Sequence, residues 1–174
     1  MSADQTAKTE ANGLGLPVGE GQEGKDRISH IVFRLEEDRF AVDMSRLMGL
    51  DRMTPVTPVP NTPEFVLGVT NLRGEIVSVI DLRRLFGKKP MERPDTGRLL
   101  KLRDRRDLVV SGVLVDGIQG ARTIKAENIR PARRSAVPWA PVLEGVYEDE
   151  NETLNVLDID KLFESKEVRA LTGG

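Results

Sequence analysis

The architecture of the chain can be inferred from one segment, Gly68-Val69-Thr70-Asn71-Leu72-Arg73-Gly74-Glu75-Ile76-Val77-Ser78-Val79-Ile80-Asp81-Leu82-Arg83-Arg84-Leu85-Phe86. The same pattern returns 77 positions later, from Gly145 to Phe163, without a gap. Seven residues of the first stretch are identical in the second, namely Gly68, Val69, Glu75, Val79, Asp81, Leu85 and Phe86. A pattern that recurs at a fixed period indicates that the chain contains two copies of one structural unit.

The end of each copy predicts a strand followed by a short helix. Ile76 to Ile80 is mostly β-branched and apolar, which is typical of a buried strand. Asp81 then precedes Leu82 to Phe86 and is predicted to accept hydrogen bonds from the free N–H groups of that helix. Asp158 has the same place before Ile159 to Phe163. The two carboxylates could also form an acid–base pair, but their equivalent positions favour two structural helix caps.

Upstream of these units, each copy predicts a β-hairpin. Ile31 to Asp43 and Leu99 to Asp116 are apolar runs interrupted by charged turns. Each copy is therefore expected to contain about five short strands and one short helix, joined by Lys88 to Gly97. Small sheets have exposed edges unless they curl closed, so two small barrels packed together are the economical architecture. The prolines between Pro55 and Pro63 favour a rigid extended loop, with a proline-rich ligand segment as the alternative.

Composition limits the class of protein. Hydrophobic residues make up 39% and charged residues 31%, as in ordinary globular proteins. The net charge of -2 provides no field for nucleic acid, so no nucleic-acid partner is expected. The absence of cysteine suits a reducing compartment. Without a long apolar run or a signal-type N-terminus, direct membrane insertion is not expected and the cytoplasm is the predicted location.

The domain boundaries follow from the same patterns. Residues 1–27 are polar and rich in small residues, which predicts a disordered N-terminal tail. Residues 28–165 carry both copies and form the predicted domain. Residues 166–174 are assigned to a C-terminal tail.

The sequence offers no recognisable catalytic set, and we expect neither a catalytic residue, a metal nor a cofactor. His30 is the single histidine and is interpreted as a strand-edge residue, although a histidine can also act as a general base. A lone histidine cannot build a typical metal site. Trp139 is interpreted as a cover on the second barrel, with an exposed anchor for a partner as the alternative.

Several segments resemble the CheW family of chemotaxis coupling proteins. The signature lies in Asn61 to Val77, continued by Val79 to Arg83, and later motifs match Gly112 to Ile118 and Ile129 to Ala132. The resemblance implies an all-β protein with short helices, built from two SH3-like five-stranded barrels. It also implies a non-enzymatic adaptor between chemoreceptors and the histidine kinase CheA. The family also occurs as the regulatory domain of that kinase.

The resemblance suggests where the partners bind. Family members bind the tip of a chemoreceptor coiled coil in the groove between the barrels, where Met44, Leu47 and Arg73 are the candidates in this chain. They bind CheA through the barrel ends. Such a protein would be cytoplasmic and recruited to membrane-associated receptor arrays.

Two departures from the family pattern concern the arginine and the last strand. The family usually has a glutamate facing this arginine from a helical turn, and Gly49 stands at the aligned position. Either Asp51 reaches back to Arg73, or Arg73 is free to meet a carboxylate of the partner. We favour the second, because a shift of two residues turns a side chain to another face of a helical turn. Ser78 replaces the usual proline, and both departures raise the possibility of a gliding, pilus or non-motility pathway.

A protein of a different functional class is the alternative interpretation. A small-ligand-binding protein or an enzyme could use the cleft between the barrels. An enzyme would need titratable groups that converge in that cleft.

Overall fold

The computed structural model describes residues 26–133 and 136–172, which form two sheets with a few short helices. The six-stranded sheet has the order β8-β1-β2-β11-β10-β9 and comprises β1 (Arg27–Leu35), β2 (Asp38–Asp43), β8 (Gly117–Lys125), β9 (Ile129–Arg130), β10 (Leu143–Glu148) and β11 (Thr153–Leu157). The five-stranded sheet has the order β3-β6-β7-β5-β4 and comprises β3 (Leu47–Arg52), β4 (Val66–Leu72), β5 (Glu75–Asp81), β6 (Arg98–Arg103) and β7 (Val110–Val115). Each sheet curls as an incompletely closed SH3-like barrel, which confirms the predicted fold class.

The helices are short and follow the two repeated units. They are α1 (Leu82–Leu85), α2 (Ile159–Glu164) and α3 (Lys166–Thr172). Gly87, with φ of 71°, ends α1, because the N–H of Gly87 bonds to Arg84 O and that of Lys88 to Arg83 O. This is the Schellman arrangement that favours glycine after a helix. Among the described residues, no helix is long and apolar enough to cross a membrane.

Each sheet combines strands from both copies of the repeat, and this arrangement was not foreseen. The predicted hairpins do form, as β1–β2 and β6–β7. However, β2 pairs in parallel with β11, and β5 pairs in parallel with β7. The hairpin of one copy thus completes the sheet begun by the other copy. A lone two-stranded hairpin is marginally stable, so each hairpin requires such a neighbour.

Alternation along the strands sorts the buried apolar side chains of the described residues into three cores. Phe33, Phe40 and Leu100 belong to a core shared by the two sheets, which also receives side chains from α1, α2 and α3. Val32 faces the interior of the six-stranded sheet, and Leu99 faces the interior of the five-stranded sheet. Successive residues of a strand point to opposite faces, so each central strand supplies two cores. The shared core holds the two sheets together.

Two glycines of the repeat are required by close approach of the backbone. β4 and β10 each carry a register shift just before Gly68 and Gly145. A Cβ atom on Gly68 would lie 2.0 Å from Thr57 O, and one on Gly145 would lie 2.3 Å from Arg130 O. Thr57 bridges to β4, and Arg130 in β9 pairs with β10. The glycine repeat therefore marks the point where another segment crosses the second hairpin of each copy, Thr57 in the first copy and β9 in the second.

Some sequence expectations fail at the level of individual residues. Ile76 was assigned to a buried strand, but its side chain is 68% exposed because it lies next to the β4–β5 turn. His30 is not at a strand edge, because β1 has β8 and β2 on its two sides and His30 is only 1% exposed. The C-terminal tail was expected from residue 166, yet α3 forms there and Val168 is buried in the shared core. The predicted N-terminal tail lies largely outside the described residues, and β1 begins at Arg27.

Candidate functional site

The candidate site is built on the tight turn between β4 and β5. Leu72 pairs with Glu75, so the loop contains only Arg73 and Gly74. Both have positive φ, 53° and 90°, as a type I′ turn requires. The Asn71 side chain accepts a hydrogen bond from the Gly74 N–H at 2.8 Å. The turn therefore holds the Arg73 side chain outward, where it is 72% exposed.

Arg73 is paired within the chain. Its Nη2 lies 3.2 Å from Oδ1 of Asp51, a carboxylate that is only 17% exposed. Gly49 and Asp51 lie in β3, not in a helical turn, and residues two apart in a strand share a face. A Cβ atom on Gly49 would lie 3.3 Å from Asp51 Oδ2. The expectation that Asp51 turns to another face is therefore wrong, because Asp51 occupies the space beside Gly49.

A second ion pair lies beside the first. Glu75 follows the turn, and its carboxylate contacts Lys101 Nζ. Lys101 is paired with Gly49 across β3 and β6 and is 9% exposed. Arg73 of the β4–β5 turn and Glu75 at the start of β5 thus reach side chains of β3 and β6, on the other side of the five-stranded sheet. We call Gly49, Asp51, Arg73, Glu75 and Lys101 the hairpin-tip cluster.

Met44 and Leu47 lie on the segment that leads into this cluster. Met44 begins a single 3-10 turn, Met44–Arg46, in which the Asp43 carboxylate accepts a hydrogen bond from the Ser45 N–H at 2.8 Å. Leu47 begins β3 and packs against the shared core. Arg46 within the turn pairs with Asp160 of α2 at 3.1 Å. This segment therefore connects the five-stranded sheet, through its turn, to a helix that follows the six-stranded sheet.

Asp81 and Asp158 stand at the N-termini of α1 and α2. The Asp81 carboxylate accepts from the Arg84 N–H at 3.3 Å, and the Asp158 carboxylate accepts from the Lys161 N–H at 3.1 Å. The two environments differ, because Asp81 is only 2% exposed whereas Asp158 is half-buried. Burial raises the pKa of Asp81, and the hydrogen bonds and charge of Arg84 oppose that rise. The two positions are thus equivalent in backbone geometry but differ in burial.

A buried polar network that the sequence reasoning missed joins the two sheets. Arg83 Nε donates to Asp116 Oδ1 at 2.6 Å, and Arg83 Nη2 contacts the other carboxylate oxygen. The same carboxylate accepts from the Glu36 N–H, in the β1–β2 turn, at 2.7 Å. The hydrogen bond to Asp116 is the main reason why the pKa of Arg83 is raised. Both residues lie within motifs that resemble the CheW family, Val79 to Arg83 and Gly112 to Ile118. These motifs are the sequence feature that could have pointed to the network.

Trp139 lies in the shared core. Its side chain is 8% exposed and packs on Phe40 and Phe86, with ring centroids 5.8 and 5.6 Å away. Lys88 Nζ lies 4.6 Å from the centre of the indole. Trp139 is thus neither an exposed anchor nor a cover of one barrel. It is a buried contact between the two sheets.

The cavity beside Trp139 is lined mainly by apolar side chains. This cavity of about 300 Å³ lies between the end of α1 and the helices α2 and α3, with Phe86, Trp139 and Leu162 in its wall. The titratable residues that line it are Lys161, Lys166 and Glu167. Within residues 26–133 and 136–172, no group of three or more acidic, histidine or cysteine side chains is placed to hold a metal.

Three large apolar side chains are exposed at one end of the five-stranded sheet. Ser78 and Ser111 are partners in the parallel β5–β7 ladder, so Ile76 and Leu108, which precede them, lie at the same end. Met48 lies there too, because Leu47 is paired with Leu102 near the end of β6. Met48, Ile76 and Leu108 are 45%, 68% and 75% exposed. We call these three residues the apolar barrel end, and Arg73 and Glu75 border it.

The chain is similar to known proteins over most of its length. The model of the CheW-like domain matches residues 29–167. The Chemotaxis protein CheW of Klebsiella aerogenes is 34% identical over 139 residues, covering 79% of this chain and 82% of that protein. Protein FrzA of Myxococcus xanthus is 31% identical over 141 residues, covering 80% and 87%.

A solved structure has the same fold. The crystal structure of the scaffolding protein TtCheW from Thermoanaerobacter tengcongensis matches with a TM-score of 0.73 and 23% identity, covering 86% of this chain and 96% of that one. The fold, the family model and the relatives agree with one another. The chain therefore belongs to the CheW-like family.

Proposed function

We propose that this chain is a non-catalytic adaptor that couples chemoreceptors to the histidine kinase CheA. The observation that carries the proposal is the CheW-like domain match over residues 29–167. The adaptor is cytoplasmic and is recruited to membrane-associated receptor arrays.

The kinase binds at the apolar barrel end. Large apolar side chains that remain exposed on a small domain usually mark a protein-binding surface. Met48, Ile76 and Leu108 would be buried there by the regulatory domain of CheA, with Arg73 and Glu75 as the polar rim.

The receptor tip binds in the groove between the sheets, with Met44, Leu47 and Arg73 as the contacts. Arg73 supports this assignment because 72% of its side chain is exposed even though it is paired with Asp51. Asp51 fixes the direction of the guanidinium, and the outer donors remain available for a carboxylate of the receptor. The same arginine borders both proposed surfaces, which suits a protein that must connect two partners.

A second candidate is an adaptor for a pathway other than flagellar chemotaxis. The similarity to Protein FrzA favours it, since the identity of 31% over 141 residues is close to that of the chemotaxis relatives. Binding to the chemotaxis receptor and kinase of the same cell would support the first candidate. Failure of both, with binding to a second receptor–kinase pair from that cell, would support the other.

The test is reconstitution of a ternary complex. The full chain, a receptor cytoplasmic fragment and CheA are mixed, and kinase autophosphorylation is measured with and without the adaptor. We expect the adaptor to increase complex formation and to change kinase activity. Ile76→Asp should abolish CheA binding and leave receptor binding intact, whereas the exposed Arg130→Ala on β9 serves as a control and should change neither.

The enzyme alternative is tested in parallel. If the cleft binds a small molecule, nucleotides or metabolites should raise the melting temperature of the adaptor alone, because a ligand of the folded state stabilises it. A clear rise, together with no binding to either protein partner, would replace the adaptor proposal.

A further inference from the structure

The two copies of the repeat are joined by strand pairing as well as by the covalent chain. Among the described strands, four ladders join the first copy to the second, namely β1 with β8, β2 with β11, β3 with β6 and β5 with β7. The ladders inside a copy are mainly hairpins, β1–β2 and β4–β5 in the first. Each sheet is therefore complete only when strands of both copies pair with one another.

The covalent connection between the copies is short, and its middle part lies at the surface. It runs from Lys88 to Gly97 and contains one 3-10 turn, Pro94–Thr96. Pro90, Glu92 and Arg93 are exposed, and Met91 is half-buried against the interior of the five-stranded sheet. Its role in pairing is to keep the second copy within reach of the first.

We propose that two copies of this chain can exchange their halves and form a domain-swapped dimer, which is called the exchanged dimer below. In that dimer, residues 27–87 of one chain pair with residues 98–172 of the other, and all four ladders are formed twice. The exchanged and unexchanged forms contain the same strand pairs, so their balance depends on the linker and on protein concentration. A short linker holds the two segments that it joins at a high effective concentration, which is on the order of millimolar when the linker is flexible. The natural linker thus favours the monomer, and a linker too short to fold back favours the dimer.

The absence of cysteine from the chain permits a direct test. Ser78 Oγ and Ser111 Oγ lie 2.9 Å apart on partner residues of β5 and β7, so paired cysteines there would be close enough for a disulfide. Full-length Ser78→Cys and Ser111→Cys chains are unfolded together, refolded at high and low concentration, and oxidised. We expect a disulfide-linked dimer of the two different chains, whose yield rises with concentration.

The controls for this test use the same sites. The double variant with both cysteines in one chain should form the bond internally. Ser78→Cys refolded alone should give few linked dimers. Mixed dimers no more abundant than in that control, with the internal bond forming normally, would overturn the proposal.

A second measurement does not depend on thiol chemistry. Deleting residues 90–93 should roughly double the molar mass seen by light scattering while the β-sheet circular dichroism is retained, as expected when a short linker cannot span its two sites. Replacing the same four residues by Gly-Ser-Gly-Ser keeps the length and should leave the protein monomeric. A deletion variant that is folded and monomeric, or that loses its sheet signal at every concentration, would refute the exchange. The outcome is independent of the proposed adaptor role.

Discussion

Replacing Arg73 by alanine separates the structural role of the hairpin-tip cluster from its role in binding. The change removes one ion pair, 3.2 Å long, from a side chain that is 72% exposed. Exposed pairs of this kind contribute about 0.2–1 kcal/mol to stability, because water screens the charges and the long side chain loses freedom. The backbone of the turn should survive, since Gly74 and the Asn71 hydrogen bond are unchanged. We therefore expect Arg73→Ala to lower the free energy of unfolding by less than about 1 kcal/mol.

The expected loss in binding is larger. A charged hydrogen-bond partner removed from an interface typically costs about 2–5 kcal/mol, which is more than tenfold in Kd. Unfolding in denaturant is followed by the fluorescence of Trp139, the single tryptophan, and binding by titration with the receptor fragment and with CheA. Asp51→Asn tests orientation alone, because it leaves the guanidinium in place. Arg130→Ala is the matched control for the loss of an exposed arginine.

One result would refute this reasoning. If Arg73→Ala bound both partners normally but unfolded several kcal/mol more easily, Arg73 would be a structural residue. The apolar barrel end and Met44–Leu47 would then have to account for binding by themselves. If Asp51→Asn weakened binding as much as Arg73→Ala, the pair would act as a unit in positioning the guanidinium.

Three further predictions concern stability. Asp81→Ala should lower the free energy of unfolding by about 1 kcal/mol, because the helix loses its cap. Asp81→Asn should lower it clearly less, because asparagine keeps the acceptor and burial already disfavours the charged form of Asp81. Equal losses for the two variants in denaturant titrations would contradict a simple cap. Burial lowers the pKa of His30, so the unfolded state binds more protons and the free energy of unfolding should fall as the pH drops below 6.5. His30→Gln should remove this contribution when unfolding is measured at pH 5.5 and at pH 8. Deleting residues 2–25 should change the melting temperature by only about one or two degrees. The deletion keeps Asp26, whose carbonyl oxygen accepts a hydrogen bond from the Ala126 N–H. A loss of cooperative unfolding would show that the segment belongs to the folded core.

The local features of the fold could be predicted from the sequence because they depend on neighbouring residues. The hairpin of Ile31 to Asp43, the strand before Asp81 and the helix after it each follow from patterns within about ten positions. The glycine at 68 and 145 was visible as a repeat, although its cause was not. That cause is a carbonyl group from a segment that lies 11 residues away in the first copy and 15 in the second.

The features that were missed depend on residues far apart in the chain. The pairing of β2 with β11 rests on a choice between two similar hairpin partners, and the sequence of either hairpin does not determine that choice. The Arg83–Asp116 pair joins positions 33 apart and could be seen only as two separate motifs. Asp51 was assigned to the wrong face because its segment was read as a helical turn, in which residues two apart diverge, whereas in a strand they coincide. The candidates Met44 and Leu47 rest on the family resemblance and await the binding tests.

The parallel pairing of β2 with β11 also governs when the protein can fold during synthesis. The side-chain amide of Asn155 donates to Arg39 O, and the two residues are 116 positions apart. At about 5–20 residues per second, a ribosome needs on the order of ten seconds to add that length of chain. During that interval the β1–β2 hairpin, with Phe33 and Phe40 uncovered, lacks its final neighbour. Nascent chains of this protein should therefore bind a chaperone at the ribosome exit through their first hairpin until the last strand has emerged.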